Sequence, residues 1–225
     1  TAVAGVDTVI ALAAIVTDEL VDMNQDYSHK VNIEALQMLC QKAVAAGVER
    51  LIYASSSSVS GSQEEECYEG TKPSPQTAYA RMKLEGESIV NAWKDNLWVF
   101  SVRSATCCGP APRMRLDTIV NTFCAQAYFD KVITVWGGDQ YRSNIHVDDI
   151  ADLYCKLALV ENSGIRSGYF INAVRSYHTA EQLARIVQSI IPCEVVIDPS
   201  KKDSRSYRMR SVNGPLMETR IGWSP

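Results

Sequence analysis

Three short apolar runs, each followed by a helical pattern or a long link, leave this chain few folds to adopt. Residues 8–14 read Thr-Val-Ile-Ala-Leu-Ala-Ala, apolar without alternation, the pattern of a parallel strand covered on both faces. Residues 50–54 and 98–102 form the second and third runs. Between the first two, Val31, Ala35, Leu36, Leu39, Ala43 and Ala46 recur at helical spacing, predicting a helix over 25–46 that Gly47 stops. A second helix is predicted over 76–95. Links of this length do not make hairpins, so the strands are expected to join by right-handed crossovers into a parallel sheet. The fold class is α/β.

The second half continues the alternation less regularly. The spacing predicts a helix over 116–128, a strand over 132–135 and a turn at Gly137, Gly138 and Asp139. A further helix is expected after Val147 with Asp148 as its N-cap, then a strand over 169–171. Thr179 and Gln182 are spaced as a capping box for a helix reaching Ile191. The polar stretch with Glu64, Glu65, Glu66, Pro73 and Pro75 reads as a solvated loop. No internal repeat or low-complexity segment interrupts the chain.

Composition narrows the partners. Among 225 residues, 22 basic against 26 acidic side chains give a net charge of −4, which argues against nucleic acid or an anionic membrane as ligand. No apolar run approaches the roughly 18–20 residues of a membrane span, and no signal-peptide pattern is present. The seven cysteines include no Cys-x-x-Cys pair and sit mostly in apolar stretches. Reduced thiols in a cytoplasmic protein are therefore expected, with neither a zinc site nor a disulfide framework. His146 beside Asp148 and Asp149 reads as a strand-end histidine at a helix start, not as a metal ligand, and His29 and His178 read as surface residues.

The sharpest constellation is Tyr79-Ala-Arg-Met-Lys83, preceded by four serines, Ser55 to Ser58, at a strand end. Four residues along a helix place Tyr79 and Lys83 on one face. A nearby ammonium favours tyrosinate and is expected to lower the phenol's pKa towards a range useful for proton exchange. A serine hydroxyl from the strand end would hold a substrate oxygen in line with that phenol. The set suits moving a proton on and off an alcohol while a hydride leaves or returns.

Around this pair, five more segments fall in a characteristic order. Val9-Ile-Ala-Leu-Ala-Ala14 is similar to V-I-H-L-A-A, and Tyr27-Ser-His-Lys-Val-Asn32 to a helix carrying a supporting Asn. Tyr53-Ala-Ser-Ser-Ser-Ser-Val-Ser-Gly61 is similar to S-S-x-x-V-Y-G. Arg103-Ser-Ala-Thr-Cys-Cys-Gly-Pro110 is similar to R-x-x-N-V-Y-G-P, and Arg142-Ser-Asn-Ile-His-Val-Asp-Asp-Ile-Ala151 to R-D-F-I-H-V-D-D-I-A. Over nearly its whole length the chain resembles the extended short-chain dehydrogenase/reductase family, and within it the nucleotide-sugar epimerases and dehydratases.

That resemblance implies a doubly wound, Rossmann-like parallel sheet with a small C-terminal substrate lobe. Residues 1–110 would form part of the dinucleotide-binding domain, and 111–225 the substrate lobe interleaved with the last sheet strands. It implies Tyr79 as general acid/base, Lys83 as its partner on the nicotinamide ribose, and Ser56 as the catalytic serine. Ala13, Ala14, Asn32, Ser55 and Ala105 would lie against NAD, with NADP possible. Thr106, Arg142, Arg205 and Tyr207 would join Ser56 in holding a nucleotide-sugar substrate, Arg142 pairing the diphosphate. A homodimer through the helices of Tyr79 and Asn32 is implied as well.

Departures from the pattern touch the substrate. Ala11 replaces the usual His, Thr106 the usual Asn and Ser143 the usual Asp, while Ser60 and Cys108 stand for Tyr and Ala35-Leu36 for Gly-Thr. The resembling 4,6-dehydratases carry an acidic pair directly after the catalytic Ser/Thr, where this chain has Ser57 and Ser58. An epimerase or reductase is therefore expected over a dehydratase.

One expected part is missing from these residues. The twelve glycines make no G-x-G or G-x-x-G turn, the element whose backbone amides hold a dinucleotide pyrophosphate, and its acidic ribose partner is missing with it. The chain opens on Thr1 and soon enters its first strand, so it reads as the family's later part, lacking about 60 residues at ~30 per βαβ unit. A truncated or non-catalytic homologue is the competing expectation. Either way, NAD is expected to bind this chain weakly or not at all, and calorimetry showing micromolar affinity would overturn that.

Overall fold

In a computed structural model, residues 2–160, 164–201, 206–211 and 213–225 are described. In chain order the elements are β1 (Thr8–Ala11), α1 (Asp18–Met23), α2 (Gln25–His29), α3 (Ala35–Ala45), β2 (Arg50–Ser56), β3 (Glu66–Cys67), α4 (Ala78–Asn91) and β4 (Trp98–Ser104). Then follow β5 (Thr106–Cys108), α5 (Ile119–Ala125), β6 (Val132–Trp136), β7 (Tyr141–His146), α6 (Val147–Leu159) and β8 (Tyr169–Ala173). The chain ends with β9 (Ser176–Thr179), α7 (Ala180–Ile190), β10 (Glu194–Asp198), β11 (Arg208–Met209) and α8 (Gly214–Ile221).

Strands β1, β2, β4 and β8 pair in that order, all parallel, and β1 lies at the edge. Period-two alternation sends neighbouring side chains to opposite faces. Leu51 and Val99 pack with Leu36, Cys40, Ala43 and Val90 under α3 and α4. Ile52, Phe100 and Ile171 pack with Leu153 and Leu157 of α6 and Met217 of α8 on the other face. The sheet is thus sandwiched between helices, as expected of an α/β chain. The last strand, β8, comes from the chain's second half. A separate parallel pair, β10 with β6, packs Ile133 and Val135 of β6 against Phe123 of α5 and Leu183 and Val187 of α7.

Several boundaries depart from the sequence expectation. β1 stops at Ala11 rather than 14, because the chain turns there, Leu12 N–H donating to the Ile10 carbonyl at 3.2 Å. The helix expected over 25–46 carries a π-helical turn at Lys30–Glu34, with Asn32 inside it. The N-cap of α6 is His146, not Asp148. The ring Nδ1 of His146 accepts from the Asp148 N–H at 3.2 Å while the His146 backbone stays extended. Helix α1 was not anticipated; Thr17 caps it at φ 86°, a left-handed conformation that β-branched residues rarely adopt. Glu66 is not loop but pairs through β3 with β11, and its carboxylate accepts from the Tyr177 hydroxyl. His178 is half-buried on β9, its Nδ1 among the buried polar atoms without a partner. The capping box of Thr179 and Gln182 forms, with α7 ending at Ile190. All seven cysteines are free thiols.

Candidate active site

Thr77 starts α4 by accepting the Ala80 N–H on its side chain at 3.2 Å, which sets Tyr79 in the first turn and Lys83 one turn on. Lys83 is only 5% exposed. Its Nζ donates to the Ala54 carbonyl of β2 at 2.7 Å and lies 5.1 Å from the centroid of Tyr53 and 5.8 Å from that of Tyr79. Burial without a paired carboxylate pushes this amine down to about 8.

The phenol of Tyr79 behaves otherwise than expected. Burial raises its pKa and outweighs the lowering by the Ser56 hydroxyl and by Arg115, while Asp18 adds to the rise. The expected lowering by Lys83 is thus not what governs the phenol, because taking a nascent phenolate out of water is the larger effect.

Ser56 ends β2. Its Oγ accepts from the Ser58 N–H at 3.2 Å and lies 2.9 Å from the Ser58 hydroxyl. Ser57 is buried and turns its hydroxyl to the Tyr207 phenol at 3.4 Å. Neither position supplies a carboxyl group.

Adjacent strand residues face opposite ways, and Ser55 points to the rear. Its hydroxyl donates to Glu87 Oε1 at 2.5 Å. Glu87 in turn holds Arg103 through two bonds, Nε to Oε1 at 2.8 Å and Nη2 to Oε2 at 2.7 Å. Arg103 is 3% exposed and stacks over Phe170 at 4.2 Å. This buried pair ties α4 to β4 and, through Ser55, to β2. Asn32 also lies behind the site, its amide accepting the Ile15 N–H at 2.8 Å and donating to the Ile15 carbonyl at 3.0 Å. Ala13 and Ala14 follow the end of β1, outside the cleft lining.

In front of Ser56 and Tyr79 opens a cleft of about 850 Å³, at the carboxyl ends of β2 and β4. Ala105, Thr106, Arg142 and Tyr207 line it with them, whereas Arg205 lies outside the described residues. Arg142 is 9% exposed, and one of its Nη atoms donates to the Tyr141 carbonyl at 2.9 Å. The sequence reading missed Asp18, Glu19 and Arg115, which also line the cleft. Arg115 is held by Asp117 in an exposed two-bond ion pair. Nor was the Glu87–Arg103 pair foreseen. Among the described residues no three His, Cys, Asp or Glu side chains converge as a metal site, and no helix is long and apolar enough to cross a membrane.

The buried amine gives a pH signature. Its native value of about 8 is below the 10.5 of the unfolded chain, so the unfolded state binds more protons between these values and stability rises with pH. Buried thiols such as Cys40, raised to about 11 from 9.0, act in the opposite sense above pH 9. The native protein is expected to gain about 1 kcal/mol relative to Lys83→Met between pH 8 and about pH 9, read by urea unfolding. Parallel curves for the two proteins would exclude a buried ammonium.

The family profile that matches residues 1–171 is the NAD dependent epimerase/dehydratase family. The chain belongs to this family. Among curated proteins it is 31% identical over 149 residues to a Bacillus subtilis (strain 168) protein named uncharacterized UDP-glucose epimerase YtcB. That match covers 64% of this chain and 46% of the relative, so the chain spans less than half of the relative's length. Among solved structures, MoeE5 in complex with UDP-glucuronic acid and NAD superposes with a TM-score of 0.85 at 23% identity, covering 99% of this chain and 75% of that one. A UDP-glucuronic acid 4-epimerase from Bacillus cereus in complex with NAD gives 0.79 at 22%, covering 97% and 67%. These likenesses establish the fold of an epimerase/dehydratase family member, a parallel sheet of the Rossmann kind.

Proposed function

We propose that the protein epimerises a nucleotide-diphosphate sugar by transient oxidation of a ring hydroxyl. The observation that carries this is the convergence of Ser56, Tyr79 and Lys83 at the carboxyl end of β2, beside a cleft at the strand ends of a parallel sheet. The name of the Bacillus subtilis relative and the ligands of the superposed structures support the same substrate class. Lys83 spends one N–H on Ala54 and fits the nicotinamide-ribose end of NAD with the others, next to Tyr79. The cofactor would supply a hydride acceptor and donor, with NADP the alternative.

The chain's own residues do the rest. Tyr79 takes the proton of the sugar hydroxyl and later returns it. Ser56, already accepting from the Ser58 N–H, keeps its own proton to donate to the substrate oxygen or the phenolate. Lys83 places positive charge beside the phenol and offsets part of the burial that opposes phenolate. Arg142 reaches the diphosphate, and Tyr207 with Ser57 borders the sugar. Arg205 would join them. Because Ser57 and Ser58 bring no carboxyl group, the residues favour epimerisation over elimination of water. Exposed Tyr27 and Met38 on the helical layer that carries Asn32 support pairing of two copies there, which sedimentation velocity reads directly.

The test incubates the protein with UDP-glucose or UDP-glucuronate and a large excess of NAD, enough to load a weakly binding cofactor site, following sugar ring protons by NMR and reduced nicotinamide by absorbance. Epimer without net cofactor change is expected. Net cofactor oxidation or reduction would replace this reading with a reductase or dehydrogenase, and a keto sugar with loss of water would indicate a dehydratase. Absence of both binding and product would mark a truncated or non-catalytic homologue.

A further inference from the structure

The seat of Lys83 is built from an unexpected direction. A lysine in the interior must replace its lost hydration, and three N–H donors here meet one backbone carbonyl, that of Ala54. The ring of Tyr53, the residue before Ala54, faces the ammonium at 5.1 Å from its centroid, inside the range of a cation–π contact. One strand therefore supplies both the carbonyl and the π face. The ring of Tyr79 approaches at 5.8 Å, so the ammonium lies within cation–π range of two aromatics.

The placement of Tyr53 is itself enforced. Tyr53 is 5% exposed and packs in the core beneath α3 and α4. Its hydroxyl reaches α4 at Gly86, where a Cβ would come within 2.2 Å of that oxygen. Gly86 has an ordinary helical backbone, so close approach, not φ, explains a glycine inside α4. The ionisable groups around the pair are Tyr79, Glu85 and Glu87 on α4 and Tyr154 on α6. Of these carboxylates, Glu87 is occupied by Arg103 and Ser55.

We infer that Tyr53 is the positioning residue that holds the Lys83 ammonium against Tyr79 through the face of its ring. The inference deepens the proposed reaction, in which Lys83 serves Tyr79, and gives a function to a core tyrosine that the family motifs leave aside. It predicts that the electron density of the ring, not its volume or its hydroxyl, sets how readily Lys83 keeps its proton.

The experiment replaces Tyr53 in the full chain by phenylalanine and by its mono-, di- and trifluorinated analogues. These remain close in size while their π faces weaken step by step. Lys83 is followed by NMR of carbon-13-labelled lysine, its resonance assigned with Lys83→Arg, and thermal melts confirm that each variant folds. The Tyr53→Phe protein is expected to titrate within about 0.3 pH unit of the native one. Fluorination should then lower the midpoint progressively, by about one unit across the series. A midpoint that stays constant or rises across the series would overturn the inference. Because the titration reads the ammonium itself, it decides the role of Tyr53 even where the turnover assay returns a different reaction or none.

Discussion

The Tyr79→Phe protein is expected to fold as the native one does and to lose turnover by a factor of about 10³ or more. The ring that borders Lys83 and the cleft remains, so the packing of α4 changes little. What disappears is the phenol oxygen beside Ser56 that the proposed reaction uses to exchange a proton with the sugar hydroxyl. Among the described residues, the neighbouring Lys83, Ser57 and Ser58 are engaged elsewhere. Lys83 is turned into the Ala54 carbonyl, and Ser57 and Ser58 are occupied with Tyr207 and Ser56. The stability change should stay near the ~1 kcal/mol of a single hydrogen bond. NMR turnover and a urea unfolding curve on the same sample check both halves. Epimerisation retained within tenfold would refute Tyr79 as the acid/base.

The largest loss of stability should come from Glu87. Glu87→Ala leaves the guanidinium of Arg103, 3% exposed, without its two-bond partner, and breaking a buried pair in this way costs about 3–5 kcal/mol. It also strands the Ser55 hydroxyl. The internal control is Asp117→Ala, which breaks an ion pair of similar geometry whose side chains are about half exposed, and should cost less than ~1 kcal/mol. Equal effects of the two substitutions on urea unfolding would mean that burial of the Glu87–Arg103 pair contributes nothing. A Glu87→Ala, Arg103→Leu double variant should recover part of the loss, since it removes the uncompensated charge.

The apolar runs and helical spacing carried most of the sheet, because a strand buried on both faces leaves an unmistakable unbroken pattern. They did not carry its ends. The chain turns at Leu12, and beyond the turn Asn32, 17 residues from Ile15 in sequence, holds both the amide and the carbonyl of Ile15, a contact no local pattern shows. Helix α1 escaped notice for a similar reason, being six residues held by one Thr cap and too short for periodicity to show. That Tyr79, Lys83 and Ser56 lie close together was legible from spacing and family pattern. Ser55, expected to lie against NAD, donates to Glu87, an arrangement that four identical serines in a row do not reveal. The Glu87–Arg103 pair and the Tyr53 ring join residues far apart in sequence, and side-chain type alone does not announce such meetings.

Those serines bear on how this chain tolerates change. Ser55 and Ser56 have the same side chain, yet one braces the scaffold and the other lines the cleft, distinguished only by parity along β2. Deleting one residue from β2 would exchange their positions with little change in local composition, turning the brace to the cleft and the cleft hydroxyl to Glu87. Residues 71–76, which belong to no strand or helix, are where length can drift. Lineages of this chain should therefore show insertions there and none within residues 50–56, a constraint on counting rather than on chemistry.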